Sequence, residues 1–458
     1  YVLKKYLTNF SSYAAQPLEE EVQHMNTFAE NLKHSLLSMI DEMEFYELDC
    51  FVHNPDKDFK RQRKFTFSSV MRFILSMGSA SLGQELLKYF HYNSDFPSVS
   101  AFVQQRQKIK PEAFFELFRR FSLKHEEINL FREYRLLAVD GSDISLPLNP
   151  SEPFAFPESK CSMLHLNALF DIMSRQYVDA IIQGKHESNE TAAIVTMTDR
   201  LPDQYPVIIV ADRGYENYNF FAHVEERFFD YVVRLRTSKS RSMFAGLKLP
   251  DGKPFDITKN IVITRHSTGP YAVDKEKYKY MTKQSRFDFI PDCKHPDYEM
   301  LIRFVSFPLN TGEFEVLATS LPESEFPVSV LKEIYNLRWG IETSFRELKH
   351  VVGLAAFHTK KADCAMQEIY ARLIMYNFSL LIAGKVMIPE QPCRKYRYLI
   401  NFAQAIRICI EYFRIHNSSP PFDLQALLSR FILPERKGRT YIRKVYPQGA
   451  KAFNYRLT

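Results

Sequence analysis

Apolar residues recur at helical spacing in the first third of the chain. In the segment FTFSSVMRFILSM (residues 65–77) they fall on one face, which predicts an amphipathic helix. A similar helix is expected over residues 98–109, with Ser98 or Ser100 as its N-terminal cap. We therefore predict a helical N-terminal region over residues 1–132.

From residue 134 the pattern changes to short apolar runs separated by turn residues. Strands are predicted at 134–146, 165–173, 177–184, 206–215 and 231–236, with helices at 188–201 and 217–230. Three leading strands followed by alternating helices and strands is the order of a ribonuclease-H-like domain. We expect such an α/β catalytic core to begin with residues 133–236.

Residues 237–325 interrupt this alternation with short strands and turns, which predicts a β-rich insertion. Basic residues cluster in its first half and predict a basic face: Lys239, Arg241, Lys248, Lys253, Lys259, Arg265, Lys275, Lys277, Lys279, Lys283 and Arg286. Helix resumes after Pro327, so the second part of the core is expected at 326–385. Residues 386–458 then predict a basic, helical C-terminal region.

Composition narrows the class of protein only a little. The chain has 458 residues, of which 45% are hydrophobic and 25% charged, as in folded globular proteins. The net charge of +6 is too small to indicate a polyanionic partner by itself. The six cysteines form no C-x-x-C pair, and no apolar run is long enough for a membrane span. With no signal peptide at the start, we expect a cytoplasmic protein.

Two aspartates occupy places where an acidic side chain is costly. Asp140 lies near the middle of an otherwise apolar strand and is followed by Gly141. Asp212 follows the apolar run VIIVA, at the carboxyl end of a strand predicted to be buried on both faces. Either aspartate, taken alone, could also be an ordinary residue of a turn or a strand end. Together they suggest two acids converging at one edge of a sheet, where α/β proteins bind ligands.

A third acid lies on a predicted helix after the insertion. Tyr335, Arg338, Glu342 and Lys349 fall within roughly 60° of one another on the helix wheel. A solvated face with ion pairs would explain such a stripe. Its position after two acid-bearing strands favours a site in which Asp140, Asp212 and Glu342 bind metal. Three carboxylates can hold two Mg²⁺ ions, with Mn²⁺ as a substitute, for phosphoryl transfer.

The spacing Tyr335-x-x-Arg338-x-x-x-Glu342, with six residues between Glu342 and Lys349, resembles the Y-(2)-R-(3)-E-(6)-K signature of bacterial insertion-sequence transposases. The segments VDGS (139–142) and IVADRGY (209–215) resemble the two aspartate motifs of that family. The resemblance implies a DDE catalytic core with a ribonuclease-H-like fold and a β-rich insertion.

The same resemblance implies cut-and-paste transposition. Water activated by metal nicks double-stranded DNA at the terminal inverted repeats, and the freed 3′-hydroxyl forms a hairpin that is opened before attack on target DNA. It also implies a homodimer in the synaptic complex and a nucleoid-associated location in a bacterium. Tyr335, Arg338 and Lys349 are implied as phosphate contacts, and we add Arg213 beside the second aspartate.

DNA contacts are also predicted in the N-terminal region. Gln104, Gln105, Arg106 and Lys108 are residue types that contact bases and phosphates from a recognition helix. A solvated helix face explains them equally well.

One feature departs from the family pattern. Better-known relatives carry a Trp in the insertion that receives a flipped base, whereas Trp339 is the only tryptophan here. Phe287, Phe289 and Tyr298 are the aromatic residues that we consider in its place.

Three readings follow: an active transposase, a catalytically silent transposase-derived DNA-binding protein, and another ribonuclease-H-like nuclease such as a junction resolvase. All three acids are present, which favours catalysis. The Tyr, Arg, Glu and Lys spacing favours a transposase over a resolvase. Short inverted repeats on both sides of the gene would decide the class.

Overall fold

The chain forms two units in the computed structural model, which describes residues 3–61, 63–236, 246–309, 312–353, 356–388, 396–415 and 423–435. The first unit comprises residues 1–126, 144–163 and 346–458. The second comprises residues 127–143 and 164–345. The basic residues expected at 239, 241 and beyond 435 lie outside the described residues.

The described chain opens with a run of helices, and strands and helices follow in mixed order. The helices are α1 (Leu3–Tyr46), α2 (Leu48–Phe51), α3 (Phe67–Ser76), α4 (Leu82–Tyr89), α5 (Val99–Arg106), α6 (Pro111–Lys124), α7 (Glu190–Asp199), α8 (Tyr218–Glu226), α9 (Pro270–Val273), α10 (Val328–Leu337), α11 (Trp339–His350), α12 (Ala362–Gly384), α13 (Phe402–Arg414) and α14 (Leu424–Leu428). The strands are β1 (Arg135–Pro147), β2 (Ala155–Phe156), β3 (Cys161–Asp171), β4 (Tyr177–Gly184), β5 (Val207–Ala211), β6 (Asp230–Arg234), β7 (Phe255–Thr264), β8 (Tyr278–Tyr280), β9 (Tyr298–Pro308), β10 (Phe314–Thr319), β11 (Tyr398–Ile400) and β12 (Ile432–Pro434).

Short polar side chains fix where the helices begin. Thr66 and Ser69 form a capping box at the start of α3, and Ser98 accepts a hydrogen bond from Ala101 N–H at the start of α5. Asn189 and Asn217 cap α7 and α8 in the same way. The helices predicted at 65–77, 98–109, 188–201 and 217–230 are confirmed with slightly shorter bounds.

The first unit is a helical assembly around α12. Helices α3, α6 and α13 pack against α12, and most of its residues are buried. Among the described residues, no helix is both long and apolar enough to cross a membrane. The C-terminal part of this unit contains α13, α14 and a small antiparallel pair, β11 with β12.

Helix α5, the predicted recognition helix, is a structural element of the first unit. Arg106 is 2% exposed and its Nη1 donates to Oε1 of Glu368 at 2.8 Å. Gln105 is 5% exposed, so neither side chain can reach DNA from this position. Gln104 is exposed and Lys108 half-buried, which leaves only these two available. The prediction of a four-residue DNA-reading face is therefore wrong for Gln105 and Arg106.

The second unit is built on a mixed sheet with the strand order β2-β3-β1-β5-β6-β10-β9-β7-β8, in which β4 also pairs with β3. Strand β5 lies between β1 and β6 and is parallel to both. All five of its residues are buried, as its continuous apolar run predicted. The hairpin of β3 and β4 turns at Arg175, whose φ is 60°.

The insertion continues this sheet rather than forming a separate β-subdomain. Strand β10 pairs with β6, β9 with β10, and β7 with β9, all antiparallel. Apolar residues of the insertion, including Ile261, Phe287 and Phe304, share one buried cluster with Ile209 and Val233 of the core strands. The boundary that we placed at residue 237 marks a change in strand direction within one sheet.

The Arg106–Glu368 pair provides a stability test. We expect Arg106→Ala to destabilise the fold by about 3–5 kcal/mol, because it leaves the Glu368 carboxylate buried without its partner. Chemical denaturation of the full chain measures this. Gln104→Ala, on the exposed face of the same helix, should change stability by less than about 0.5 kcal/mol. A folded Arg106→Ala variant of unchanged stability that binds DNA more weakly would restore the recognition-helix reading.

Candidate active site

Strand register places Asp140 and Asp212 side by side. Strands β1 and β5 are parallel, with Val139 opposite Ala211. The next residue of each chain segment is an aspartate, and neighbouring strands lie about 4.8 Å apart. Two acids separated by 72 positions in sequence therefore meet at one level of the sheet. The backbone therefore brings the two aspartates to neighbouring positions at one edge of the sheet.

The third acid stands at the start of a helix. Helix α10 ends at Leu337 and α11 begins at Trp339, so the predicted single helix is two helices joined at Arg338. At the joint, Arg338 N–H donates to the carbonyl of Tyr335 and Ile341 N–H donates to that of Arg338. Glu342 lies in the first turn of α11, where the helix dipole favours a carboxylate.

Side-chain contacts connect this joint to both aspartates. The Tyr335 hydroxyl donates to Oδ1 of Asp212 at 3.2 Å. Nη2 of Arg338 donates to Oε1 of Glu342 at 2.8 Å, and its Nη1 lies 4.0 Å from Oδ2 of Asp140. Tyr335, Arg338, Glu342 and the two aspartates thus form one cluster, which we call the acid cluster.

A second guanidinium faces the acid cluster from the sheet. Nη1 of Arg234, at the end of β6, lies 4.0 Å from Oδ1 of Asp212. Its Nε lies 3.1 Å from Oε1 of Glu315 on the neighbouring strand β10. Neither residue was predicted, because their proximity depends on the pairing of the insertion with the core.

The electrostatics of the acid cluster show an excess of negative charge. Burial raises the pKa of Asp140 to about 6, and the charges of Glu342 and Asp212 raise it as well. The hydrogen bond from Gly141 N–H and the charge of Arg338 lower it, but by less. Burial also raises the pKa of Tyr335 well above its usual range, helped by the charge of Asp212. Burial lowers the pKa of Arg338, but its interactions with Tyr335, Glu342 and Asp212 outweigh this effect and raise the pKa overall. The carboxylates therefore lack full compensation by the two arginines.

Divalent metal is the counter-charge that such a donor set suits. Carboxylate oxygens are the hard ligands that Mg²⁺ and Mn²⁺ prefer. As the side chains stand in the described parts of the chain, no three His, Cys, Asp or Glu residues form a group ready to hold an ion. The Arg338 guanidinium lies between Asp140 and Glu342, and its buried Nε has no hydrogen-bond partner among the described residues. The donor chemistry fits a metal, but the predicted triad is not a preformed cage.

The remaining predicted site residues differ in accessibility. Arg213 is exposed, directly after Asp212, and is free to meet a ligand from solvent. Lys349 is half-buried in the last turn of α11, about two turns beyond Glu342. Tyr335 and Arg338 are each 3% exposed and are turned toward the acids rather than outward.

The three aromatic residues considered for a flipped base differ in burial. Phe287 is 3% exposed and belongs to the hydrophobic core, so the expectation is wrong for this residue. Phe289 and Tyr298 are partly buried against the same cluster, and their role stays a prediction. Some predicted basic residues are also used internally: Arg265 donates to backbone carbonyls and Lys259 pairs with Glu276.

A different aromatic site lies in the insertion. A cavity of about 650 Å³ is lined by tyrosines and lysines: Tyr218, Tyr271, Tyr278, Tyr280, Lys275 and Lys279. The Tyr271 ring stacks on His266 at 5.0 Å and meets Tyr278 edge-on at 4.9 Å. Sequence reading missed this cavity because its aromatics come from three separate segments.

The chain belongs to a family of DDE enzymes by sequence. The family described as Transposase DDE domain matches residues 131–378, more than half of the chain. That span includes β1, β5, the insertion strands and α11, and hence all three acids of the acid cluster. This chain is therefore a member of the DDE transposase family.

Curated relatives match over a short stretch. The transposase for insertion sequence element IS421 of Escherichia coli is 39% identical over 59 residues. The protein named transposase InsL of insertion sequence element IS186A, from Escherichia coli strain K12, is equally similar. Each match covers 13% of this chain and 16% of the relative, so the chain matches about a sixth of the length of these relatives.

A solved structure resembles the whole chain weakly. The cryo-EM structure of the piggyBac transposase synaptic complex with hairpin DNA aligns with 88% of this chain and 87% of its own, with a TM-score of 0.46 and 11% identity. A TM-score below 0.5 does not assign a fold. The architecture above rests on the strand order and register of this chain.

Because the pKa of Asp140 is raised, the ionised form that a metal site would use should destabilise the folded protein. A carboxyl with pKa about 6 rather than about 4 lowers stability as pH rises from 4 through 6. We therefore expect Asp140→Asn to stabilise the metal-free protein at pH 7.5, by up to about 3 kcal/mol. Thermal denaturation in chelator measures the shift, which should shrink toward pH 4.

Asp56→Asn is the control, since Asp56 lies in an exposed turn. It should leave the melting temperature unchanged at both pH values. A melting temperature of Asp140→Asn below that of the wild type at pH 7.5 would contradict a cluster of uncompensated acids.

Proposed function

We propose that the protein is a DNA transposase that cleaves DNA at the ends of its element and joins them to a target. The observation that carries this proposal is the meeting of Asp140, Asp212 and the Glu342-bearing helix at one point of the sheet. Membership of the DDE transposase family supports it. Water attacking a phosphodiester first, and a 3′-hydroxyl second, are the two steps of the proposed reaction.

The core is proposed to be ribonuclease-H-like. The strand order β3-β1-β5-β6, with β4 paired to β3 and β5 parallel to β1 and β6, supports that assignment. Asp140, Asp212 and Glu342 would hold two Mg²⁺ ions, or Mn²⁺ in their place. Bound metal would lower the pKa of the attacking hydroxyl and stabilise the leaving oxygen.

Tyr335, Arg338 and Lys349 would serve as the Y, R and K of the insertion-sequence signature. Arg338 is buried and turned toward the acids, so it would meet only a phosphate that is held at the acid cluster itself, through its unpaired Nε. Arg213, exposed after Asp212, would contact the DNA backbone. Of the helix stripe, Tyr335 and Arg338 are thus buried beside the acids, whereas Lys349 is half-buried and would approach DNA from the end of α11.

The partners proposed are the terminal inverted repeats, the target DNA and a second copy of the chain in the synaptic complex. Cut-and-paste excision through a hairpin requires a displaced base to be stabilised outside the duplex. The tyrosine-lined cavity of the insertion supports this step, since aromatic rings stack on bases and Lys275 and Lys279 suit phosphates. A nucleoid-associated location follows from such DNA partners.

A silent DNA-binding protein and a junction resolvase are the alternatives. Nicking with Mg²⁺ or Mn²⁺ excludes the first. The second would cut DNA without joining it, so products covalently joined to a second DNA exclude it. The partial compensation of the acid cluster by Arg234 and Arg338 supports a site that accepts cations, and therefore catalysis.

Glu342→Gln tests the catalytic assignment. On a supercoiled plasmid that carries the DNA flanking the gene on both sides, we expect a loss of Mg²⁺-dependent cleavage of roughly a thousandfold. Binding to the same DNA should change little, because the amide keeps the shape of the side chain. Gel analysis of nicked and joined products measures both steps.

Glu333→Gln is the matched control, an exposed acid on the adjoining helix α10. It should cleave like the wild type. Undiminished cleavage by Glu342→Gln would sink the assignment of the third acid.

Tyr271→Ala tests the cavity. Loss of one stacking partner should lower the yield of end processing about tenfold, whereas Tyr271→Phe should retain most of it. Fluorescence of 2-aminopurine placed near the DNA end reports whether the base is unstacked. Tyr205→Ala, an exposed tyrosine outside the cavity, is the control. Equal yields for Tyr271→Ala and the wild type would remove the cavity from the reaction.

A further inference from the structure

A buried histidine and a glutamate lie directly behind the two aspartates. His165 on β3 is 3% exposed, and Glu190 is the first residue of α7. Nε2 of His165 lies 3.1 Å from Oε1 of Glu190. On its other side, Nδ1 of His165 lies 2.6 Å from Oδ1 of Asp143. None of these three residues has a part in the function proposed above.

The pair touches the backbone that follows each catalytic aspartate. A β carbon at Gly141 would lie 2.5 Å from Nε2 of His165 and 3.1 Å from Oε1 of Glu190. A β carbon at Gly214 would lie 3.2 Å from Oε2 of the same glutamate. The two oxygens of Glu190 therefore reach the segments after Asp140 and Asp212 separately.

A glycine is needed at position 141 because a side chain has no room there, and not because of its backbone conformation. Neither Gly141 nor Gly214 is among the glycines with positive φ. A contact of 2.5 Å is closer than a real side chain allows, so His165 and any larger residue at 141 exclude one another. The glycine of the Asp-Gly motif at 140–141 is therefore required by the position of His165 on another strand.

Alternating charges fix the pair in place. Lys185 Nζ donates to Oδ1 of Asp143 at 2.7 Å, so Lys185, Asp143, His165 and Glu190 form a chain of opposite charges. Although burial lowers the pKa of His165, its two carboxylate partners outweigh this and raise it to about 9. The hydrogen bond from His165 lowers the pKa of Glu190. His165 thus has a carboxylate on each side, within hydrogen-bonding geometry at Asp143 and as a charge contact at Glu190, and such flanking charges restrict the positions of the side chains.

We propose that Glu190 and His165 are positioning residues that set the spacing between Asp140 and Asp212. This inference rests on the proposed function, because the spacing matters only if both aspartates act on one metal site. Glu190 acts by filling the space between the segments at Gly141 and Gly214. Its effect on the reaction is transmitted through the backbone and not through contact with DNA.

The test compares Glu190→Ala with Glu190→Gln in the full chain. Glu190→Ala empties the space, so we expect its apparent Kd for Mn²⁺ in the absence of DNA to rise about 10–100-fold, as for other residues that support metal ligands. Glu190→Gln keeps the volume and should stay within about threefold of the wild type. Isothermal titration with MnCl₂ gives the affinity, and nicking against Mn²⁺ concentration gives the same shift in half-saturation.

Glu187→Ala is the control, an exposed acid three residues earlier. It should bind Mn²⁺ like the wild type. Wild-type Mn²⁺ affinity in a folded Glu190→Ala protein would overturn the proposal. So would an equal loss in Glu190→Gln, because the charge of Glu190 would then act rather than its volume.

A double-mutant cycle at Gly141 and His165 needs no metal. Gly141→Ala should lower the melting temperature, and His165→Ala should remove most of that loss by making room for the methyl group. Additive effects would show that the contact is absent. If wild-type protein bound no Mn²⁺ and nicked no DNA, the proposed function would fail while this cycle still reported the contact.

Discussion

The close approach of three partly buried carboxylates is the constraint around which the candidate site is built. Burial raises the pKa of Asp140, and the charges of Glu342 and Asp212 raise it further. Two arginines partly neutralise these acids: Arg338 at the helix joint lies near Asp140, and Arg234 on the sheet lies near Asp212. The cluster remains short of positive charge, which favours the binding of a divalent cation.

The sheet supplies the rigidity that such a cluster needs. Because β1 and β5 are parallel neighbours in fixed register, neither aspartate can move without disturbing a fully buried strand. The insertion adds to this rigidity by extending the same sheet through β10, which brings Glu315 beside Arg234. Its role is therefore to complete the environment of the site as well as to offer a basic, tyrosine-lined cavity.

Much of this could be predicted from the sequence. Apolar periodicity gave the strands and helices of the core, because a residue's face is decided by local geometry. The Asp-Gly and Asp-Arg-Gly motifs and the spacing around Glu342 pointed to the acids and to a family of transposases. The burial of Arg106 could not be predicted, since a basic side chain on a short helix looks the same whether it faces DNA or Glu368.

What the sequence by itself determined was therefore the identity of the reactive groups and the elements that bear them. Tertiary structure alone decided which groups meet: Arg234 with Asp212, and Glu190 with the segments after both aspartates. It also decided that Phe287 lies in the core and that the insertion joins the sheet. The physical reason is that strand order and register bring together residues far apart in the chain, and local spacing carries no information about those neighbours.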